Sequence, residues 1–312
     1  MSGSPPTTPS RPVVLLAGGT GGAKLARGML DEAGEDLVVI ANTGDDVEIH
    51  GGYVSPDPDL VTFWLADRID ERGWGVRGDT FEVMAGLREL GEDVWFNLGD
   101  RDLAVCLRRA RRLAEGARLT EAIDETRRSL GVPARVLPMS DDPVRTFVLA
   151  GGEWHPFQAF MIREGAHGPV EGVDFRGAPA ARPPAEALEA IAEARAIVIG
   201  PSNPVISIGP ILAVPGVREA LRDSPAPVVA VSPLVRGQVL KGPTDAFLAW
   251  AGHPLDADGI AAHYKGLIDG LVSDERASET VTLETDVEMA DAAGRRRVAR
   301  ATLGFADGLA GY

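Results

Sequence analysis

Residues 13–46, VVLLAGGTGGAKLARGMLDEAGEDLVVIANTGDD, decide the fold of this chain. Residues 13–17 form a short apolar run that stops at glycines, and an amphipathic segment, residues 24–33, comes next. A second apolar run follows at residues 37–41 after only a few polar residues. This order predicts a strand, a loop of the size that holds a phosphate, a helix and a second strand parallel to the first.

An acidic turn ends the second predicted strand, with the sequence NTGDD at residues 42–46. In open α/β sheets the ligand crevice lies outside the carboxyl ends of the strands. We therefore expect the glycine loop and the acidic turn, which contains Asp45, to face the same cavity.

The glycine loop is a candidate site for phosphate groups. Gly19, Thr20 and Gly21 would bring backbone N–H groups close to an anion at a helix N-terminus, where the helix dipole also favours negative charge. Lys24 stands where a dinucleotide-binding loop has its third glycine, and the loop lacks the Gly-Lys-Ser/Thr of a Walker A motif. The alternative is a tight strand-to-helix turn without a ligand.

The composition is that of a globular protein with enough apolar residues for a full core. The 312 residues, 45% hydrophobic and 25% charged, could form one large domain or two. The formal net charge of −15 argues against nucleic acid or an anionic membrane as a partner, because a phosphate surface would be repelled overall. A local phosphate pocket is compatible with this charge.

The sequence contains one cysteine, Cys106, so no disulfide can form within the chain and a cytoplasmic location is expected. Cys106 lies beside a helical apolar stripe and is predicted to be a small core residue. The five histidines are scattered without the spacing of a zinc site.

Further apolar runs at residues 94–98, 196–200 and 228–231 are predicted to be strands of the same layer, since helical patterns alternate with them. The predicted fold class is α/β, a Rossmann-like and mostly parallel sheet with helices on both faces.

The expected domain organisation is simple. Residues 1–12 have no apolar segment of the kind found in signal peptides and are predicted to be a disordered arm. Residues 13–312 are expected to form a single α/β domain. Runs at residues 144–149 and 157–162 are typical of a hairpin, so we expect a smaller α+β subdomain inserted at about residues 138–184.

Carboxylates follow several predicted elements. Asp45 ends a strand, and Asp59 lies in the first turn of a helix for which Asp57 is the predicted N-cap and Pro58 the first residue. Either carboxylate could instead stabilise a turn or a helix start. Glycine loops with carboxylates at strand ends suit phosphoryl chemistry with Mg²⁺, which binds one or two carboxylates plus phosphate oxygens.

A second polar loop, PSNPVISIGP, follows the strand at residues 196–200. It offers hydroxyl, amide and backbone donors for a nucleotide at Ser202, Asn203, Ser207 and Gly209. Arg236 and Lys241, in a later loop, are available for phosphate. An ordinary loop is the alternative, because such residues punctuate any fold.

Seven motifs occur in order along nearly the whole chain, and together they resemble the 2-phospho-L-lactate transferase family of coenzyme F(420) biosynthesis. They are VVLLAGGTGGAKL, NTGDD, PDPDLVTFWLADRID, LGDRDLA, PMSDDPVRT, GPSNPVISIGPIL and ETDVEMADAAGRRRVA. Each motif is weak on its own, and their ordered co-occurrence is specific.

The resemblance implies a reaction. The enzyme would transfer a three-carbon phosphoacid group from a guanosine-diphosphate-linked donor to the ribityl hydroxyl of 7,8-didemethyl-8-hydroxy-5-deazariboflavin, with Mg²⁺ and release of GMP. The group could be 2-phospholactyl, phosphoenolpyruvyl or 3-phosphoglyceryl. The resemblance also implies a homodimer.

The resemblance implies site residues as well. Asp45 and Asp59 match the metal-binding and catalytic aspartates, and Asp59, Asn97 and Asp100 match the deazaflavin side of the site. The nucleotide side corresponds to Gly19, Thr20, Gly21, Lys24, Ser202, Asn203, Ser207 and Gly209.

Two other functions fit parts of the sequence. A gluconeogenesis-factor-like regulator would bind a nucleotide sugar without turning it over, but such proteins usually lack the LGDRD and PMSDD segments present here. An NAD-dependent dehydrogenase is disfavoured by Lys24 in place of the third glycine.

Overall fold

A seven-stranded sheet, parallel at every pairing, forms the centre of the computed structural model, which describes residues 11–311. The strands in that range are β1 Val13–Ala17, β2 Leu37–Ala41, β3 Val47–Ile49, β4 Gly52–Val54, β5 Arg135–Pro138, β6 Arg145–Ala150, β7 Glu153–Pro156, β8 Gly172–Arg176, β9 Ala196–Ile199, β10 Val228–Val231, β11 Leu234–Val235, β12 Gln238–Val239, β13 Gly270–Ser273 and β14 Thr282–Glu284. The arm predicted for residues 1–12 lies, apart from its last two residues, outside the described residues.

The helices surround this sheet. They are α1 Gly19–Ala33, α2 Pro56–Leu65, α3 Glu82–Glu89, α4 Asp100–Ala114, α5 Leu119–Ser129, α6 Phe157–Ile162, α7 Ala185–Glu193, α8 Gly209–Ala213, α9 Val217–Asp223, α10 Thr244–Trp250, α11 Ala257–His263 and α12 Ala292–Ala310. No single helix within residues 11–311 is long and apolar enough to cross a membrane, and one bent pair, Pro204–Ala213 with Val217–Asp223, meets that criterion only when both are counted together.

The strand order across the sheet is β14-β13-β10-β9-β1-β2-β5. Taken from β5, this is the 3-2-1-4-5-6 order of dinucleotide-binding folds with β14 added at the far edge. The order reverses between β1 and β9, which is where the ligand crevice of such sheets lies. The predicted Rossmann-like α/β class is confirmed.

Both faces of the sheet are buried. Alternate residues of β1 enter two separate core clusters, with Val13, Leu15 and Ala17 in one and Val14 and Leu16 in the other. Helices cover each face, so a central strand has no solvent side and its sequence is a continuous apolar run. The runs at residues 13–17 and 37–41 were therefore recognisable as strands from the sequence.

The predicted strand at residues 94–98 is wrong. This segment has an irregular, non-strand backbone. Phe96 and Leu98 pack instead with Met84 and Cys106 in a small satellite cluster, so their apolar character reflects burial away from the sheet. Cys106 is fully buried, as predicted.

The predicted strand at residues 157–162 is also wrong, because these residues form α6. The neighbouring strands β6, β7 and β8 form a separate three-stranded antiparallel sheet with β6 in the middle. Phe157 and Phe160 of α6 pack against Val148 of that sheet. A six-residue helix has too few turns to show a helical period distinct from a strand run.

Candidate active site

Two loops meet at the point where the strand order reverses. The Gly18 amide donates a 3.1 Å hydrogen bond to Ser202 Oγ, which joins the glycine loop after β1 to the loop after β9. A Cβ at Gly21 would lie 1.9 Å from the carbonyl oxygen of Pro201, and one at Gly22 would lie 2.6 Å from Ser202 Oγ. These glycines are therefore required for the close approach of the two loops.

The loop after β9 is shaped by a π-helical turn, Pro204–Ile208. Asn203 caps this turn, since its Oδ1 accepts hydrogen bonds of 2.9 Å and 3.1 Å from the amides of Val205 and Ile206. π-Helical turns are rare and often occur at functional sites. The turn buries Ser207 next to the glycine loop, where a Cβ at Gly18 would come within 2.7 Å of Ser207 Cβ.

These loops line a cleft of about 540 Å³, which we call the polar cleft. The predicted residues that line it are Gly19, Thr20, Gly21, Lys24, Asp45, Ser202, Asn203 and Ser207. Gly209 is not among its lining residues: it begins α8, and a Cβ there would lie 3.1 Å from the ring of Phe175. The glycine loop and the acidic turn thus face one cavity, as expected.

A second cavity of about 450 Å³ lies beside the polar cleft, and we call it the aromatic cavity. Its lining includes five aromatic rings, those of Phe63, Trp74, Phe81, Trp95 and Phe96. The polar residues that line it are Asp57, Asp59, Arg72, Asp79, Asn97 and Asp102. Its aromatic and apolar walls suit a planar ring system with a few polar substituents.

Pro56 and Asp57 line both cavities, so the two spaces meet at the start of α2. Asp57 Oδ1 accepts a 2.7 Å hydrogen bond from the Gly19 amide, and its Oδ2 accepts a 3.0 Å bond from Asn42 Nδ2. Burial raises the pKa of Asp57 to about 6, while these hydrogen bonds act in the opposite direction.

Sequence reasoning missed this role of Asp57. The predicted N-cap, Asp57, is two residues too late: Ser55 is the N-cap and Pro56 is the first helical residue. Successive helical residues turn by about 100°, so side chains two positions apart point to nearly opposite sides. Asp57 reaches the glycine loop and Asp59 reaches Arg109, although both residues line the aromatic cavity.

Asp45 is buried in the polar cleft with unsatisfied hydrogen-bonding capacity. Its Oδ1 has no hydrogen-bond partner among the described residues. Burial, and then the negative charge of Asp57, raise the pKa of Asp45 well above its usual range. The neighbouring Asp46 does not line the cleft: its Oδ1 accepts a 2.8 Å hydrogen bond from Ser55 Oγ, and its buried Oδ2 has no hydrogen-bond partner among the described residues.

Asp59 has a different environment from the one expected. Its carboxylate forms a two-point ion pair with Arg109, whose Nη1 lies 2.9 Å from Asp59 Oδ2, while Nη2 contacts Oδ1. Arg109 is fully buried and also donates a 3.0 Å hydrogen bond to the carbonyl of Tyr53. Asp45 and Asp59, expected to bind one metal ion together, are thus not brought together. They line different cavities, and Asp59 already neutralises the guanidinium of Arg109.

Asn97 and Asp100, the two remaining residues predicted to bind the deazaflavin, have different surroundings. Asn97 lines the aromatic cavity, and its Oδ1 accepts a 2.8 Å hydrogen bond from Arg88 Nη2. Asp100 is not among the lining residues of this cavity, because its carboxylate accepts bonds of 3.1 Å from the amides of Glu82 and Val83 at the start of α3. Asp100 therefore orders α3 and does not face the cavity.

The donor groups at the junction fit a divalent cation. Asp45 carries an unpaired buried carboxylate oxygen, and Asp57 lies within its electrostatic range. A hard cation such as Mg²⁺ would neutralise both charges. One group of three ligand atoms within 4.8 Å of one another is found in the described residues, at Asp59, Asp102 and Cys106. Arg109 already occupies that region, and burial raises the pKa of the Cys106 thiol, so it suits a metal poorly.

Fold and site together define the class of protein. It is an α/β protein with a polar cleft at the glycine loop, where the strand order of the sheet reverses, and an aromatic cavity adjoins this cleft. The model of one family, described as 2-phospho-L-lactate transferase CofD, matches residues 13–303. The chain belongs to this family and is a phosphoacid transferase of coenzyme F(420) biosynthesis.

Curated relatives agree over most of their length. The chain is 42% identical over 271 residues to a phosphoenolpyruvate transferase of Kitasatospora aureofaciens, covering 84% of each chain. It is 39% identical to 2-phospho-L-lactate transferases of Methanosarcina mazei, covering 85% of this chain and 87% of that one, and of Methanopyrus kandleri, covering 96% and 99%.

A solved structure supports the fold. A UPF0052-family protein from Bacillus halodurans superposes with a TM-score of 0.62 at 21% identity, covering 94% of this chain and 99% of that chain.

Proposed function

We propose that the polar cleft binds a guanosine-diphosphate-linked phosphoacid and the aromatic cavity binds the deazaflavin 7,8-didemethyl-8-hydroxy-5-deazariboflavin. The observation that carries this proposal is the junction of the two cavities at Pro56 and Asp57. A donor and an acceptor bound in adjoining cavities meet end to end, which is the arrangement that transfer between them requires.

The glycine loop holds the diphosphate of the donor. The amides of the first helical turn have no acceptor within the helix, and the dipole of the 15-residue α1 favours negative charge there. The Gly19 amide is committed to Asp57, so Thr20 and Gly21 supply the amides for phosphate oxygens. Ser202 and Ser207 add hydroxyl groups from the facing loop.

The aromatic cavity holds the deazaflavin ring system, and its ribityl chain leads to the junction. The terminal hydroxyl oxygen forms a bond to the phosphorus that carries the phosphoacid. The bond from that phosphorus to the bridging oxygen breaks, GMP leaves with the electron pair, and the hydroxyl proton is released. Such transfers depend on position and charge stabilisation and need little covalent chemistry from the protein.

Asp45 and Asp57 hold Mg²⁺ in this proposal. Asp59 does not bind the metal, and it holds the buried Arg109 in place through their ion pair. The cation supplies charge neutralisation at the diphosphate oxygens. Without substrate, Mg²⁺ should raise the melting temperature of the wild type and of Asp46→Asn but not of Asp45→Asn, because Asp46 does not line the cleft. An equal rise in both variants would contradict the site.

Turnover with each of the three donor types tests the reaction. Product mass should equal the deazaflavin plus one phosphoacid group in phosphodiester linkage, with one GMP formed per product. Nucleotide and deazaflavin binding without any product from the three donors would instead favour the regulator alternative. Gel filtration with light scattering tests the proposed homodimer.

A further inference from the structure

Residues 287–290, part of the closing motif ETDVEMADAAGRRRVA, form one wall of the polar cleft. Val287 and Met289 are 3% and 7% exposed and provide apolar surface, and Leu240, which is 64% exposed, lines the same cleft. Glu288 is the carboxylate of this wall. An apolar wall with one carboxylate is suited to a planar base that presents N–H donors at its edge.

Lys24 lies close enough to Glu288 for their charges to interact. Burial, followed by the positive charges of Arg295 and Lys241, lowers the pKa of Lys24, and Glu288 acts in the opposite direction. Within residues 11–311, the ammonium groups of Lys24 and Lys241 form no hydrogen bond and no close ion pair. The polar cleft is thus lined by a carboxylate, that of Glu288, and by the ammonium group of Lys24, both with capacity for a ligand.

Glu288 itself is only partly engaged. Its Oε2 accepts a 3.3 Å hydrogen bond from Arg236 Nη2, and the side chain of Arg236 is 78% exposed. No hydrogen bond to its Oε1 is found among the described residues. A ligand can therefore contact this carboxylate without breaking a buried interaction.

We infer that Glu288 selects guanine as the base of the donor nucleotide, accepting hydrogen bonds from guanine N1–H and the N2 amino group while Lys24 donates to O6. This inference rests on the proposed function and names the residue that reads the base. A carboxylate beside an ammonium group complements the donor and acceptor order of guanine. Adenine has the opposite order, with an amino group where guanine has O6 and an acceptor at N1, so it would face both protein groups with like partners.

Calorimetry with guanosine, inosine, xanthosine and adenosine diphosphates tests the inference in the wild type and in Glu288→Gln. The wild type should bind inosine diphosphate, which lacks the N2 amino group, more weakly than guanosine diphosphate. Glu288→Gln should weaken guanosine diphosphate binding on the order of tenfold to a hundredfold, the range of a lost two-point base contact.

The same variant should strengthen binding of xanthosine diphosphate, because the glutamine amide can donate to the carbonyl oxygen that replaces the N2 amino group. A purely structural role of Glu288 would not produce this gain. Glu284→Gln is the matched control: Glu284 lies in β14, in the same segment but outside the cleft lining, and should behave as the wild type.

The outcomes separate the two claims. A wild type that binds none of the four diphosphates contradicts the proposed function. A wild type that binds guanosine diphosphate, together with a Glu288→Gln variant that folds normally and keeps the wild-type ratio of guanosine to xanthosine diphosphate affinity, contradicts the Glu288 assignment alone.

Discussion

Four aspartates near the start of α2 differ in how their buried charge is compensated. Asp57 accepts two hydrogen bonds, and Asp59 is paired with Arg109. Asp45 has a carboxylate oxygen without a partner, and Asp102 lies close to Asp59. An uncompensated buried charge is costly. The paired carboxylate of Asp59 therefore contributes to stability, whereas the unpartnered oxygen of Asp45 is available to bind a ligand.

The Asp59–Arg109 pair is predicted to be structural. Asp59→Asn would leave the buried guanidinium without a counter-charge and should lower the free energy of unfolding by about 3–5 kcal/mol. Asp59→Leu combined with Arg109→Met should recover much of this loss, because no unpaired charge remains. Urea denaturation measures both. Asp307→Asn, in the exposed pair with Arg195, is the control and should cost less than about 1 kcal/mol. A small effect of Asp59→Asn would show that the ion pair is dispensable.

Asp102 should make stability depend on pH. Burial, and then the charge of Asp59, raise its pKa to about 7, whereas an unfolded chain has about 3.9. The folded state then holds the proton more tightly, so ionisation of Asp102 destabilises the fold as the pH rises from about 4 to about 7.

Asp102→Asn removes this penalty. Its gain in unfolding free energy over the wild type should be near zero at about pH 4 and should grow to about 2 kcal/mol at about pH 8, a value reduced by the solvent that reaches the cavity. Denaturation curves across this pH range measure the difference. A difference that does not change with pH would contradict the assignment.

At the scale of elements, the start of α1 is fixed by its contact with the loop after β9. The sequence showed a glycine loop, but its glycines are explained by the facing carbonyl of Pro201 as much as by a phosphate. Sequence patterns report local preferences and do not show which loop lies opposite. The ligand role and the packing role of these glycines could therefore not be separated before the fold was known.

Gly21→Ala should displace this loop. Its Cβ would come within 1.9 Å of the Pro201 carbonyl oxygen, so the two loops must move apart. We expect a loss of stability of about 1–3 kcal/mol and a larger loss of nucleotide affinity, measured by denaturation and calorimetry. Gly86→Ala, in α3 with open space around it, should instead stabilise by about 0.5–1 kcal/mol. Unchanged nucleotide affinity in Gly21→Ala would contradict a role of this loop in phosphate binding.

The N-terminal ends of helices α3 and α4 are joined by hydrogen bonds to two aspartates, Asp79 and Asp100. Asp79 Oδ1 accepts a 2.9 Å hydrogen bond from the amide of Arg101 in α4, while Asp100 of α4 accepts from the first amides of α3. The segment between the two helices is held against them and closes the aromatic cavity. Residues 94–98 have the apolar composition of a buried strand because Phe96 and Leu98 are buried in a small cluster. Burial alone produces this composition, without pairing in a sheet.

For the whole molecule, the parallel pairing of β1 with β2 and the position of the crevice could be predicted from the sequence of β1, α1 and β2, since buried parallel strands have continuous apolar runs. The division of the site into two cavities did not follow. It depends on which side of α2 each carboxylate faces and on the aromatic rings of distant segments, such as Trp74 and Trp95. We propose that donor and acceptor occupy these two cavities and meet at Asp57.

The most direct test is a crystal structure of the protein with guanosine diphosphate and the deazaflavin bound together. We predict the diphosphate at the glycine loop, the ring system among the aromatic side chains of the second cavity, and the terminal ribityl hydroxyl beside Asp57, about 3–3.5 Å from the terminal phosphorus. A deazaflavin bound outside the aromatic cavity, or a hydroxyl that cannot reach the phosphorus, would contradict the account.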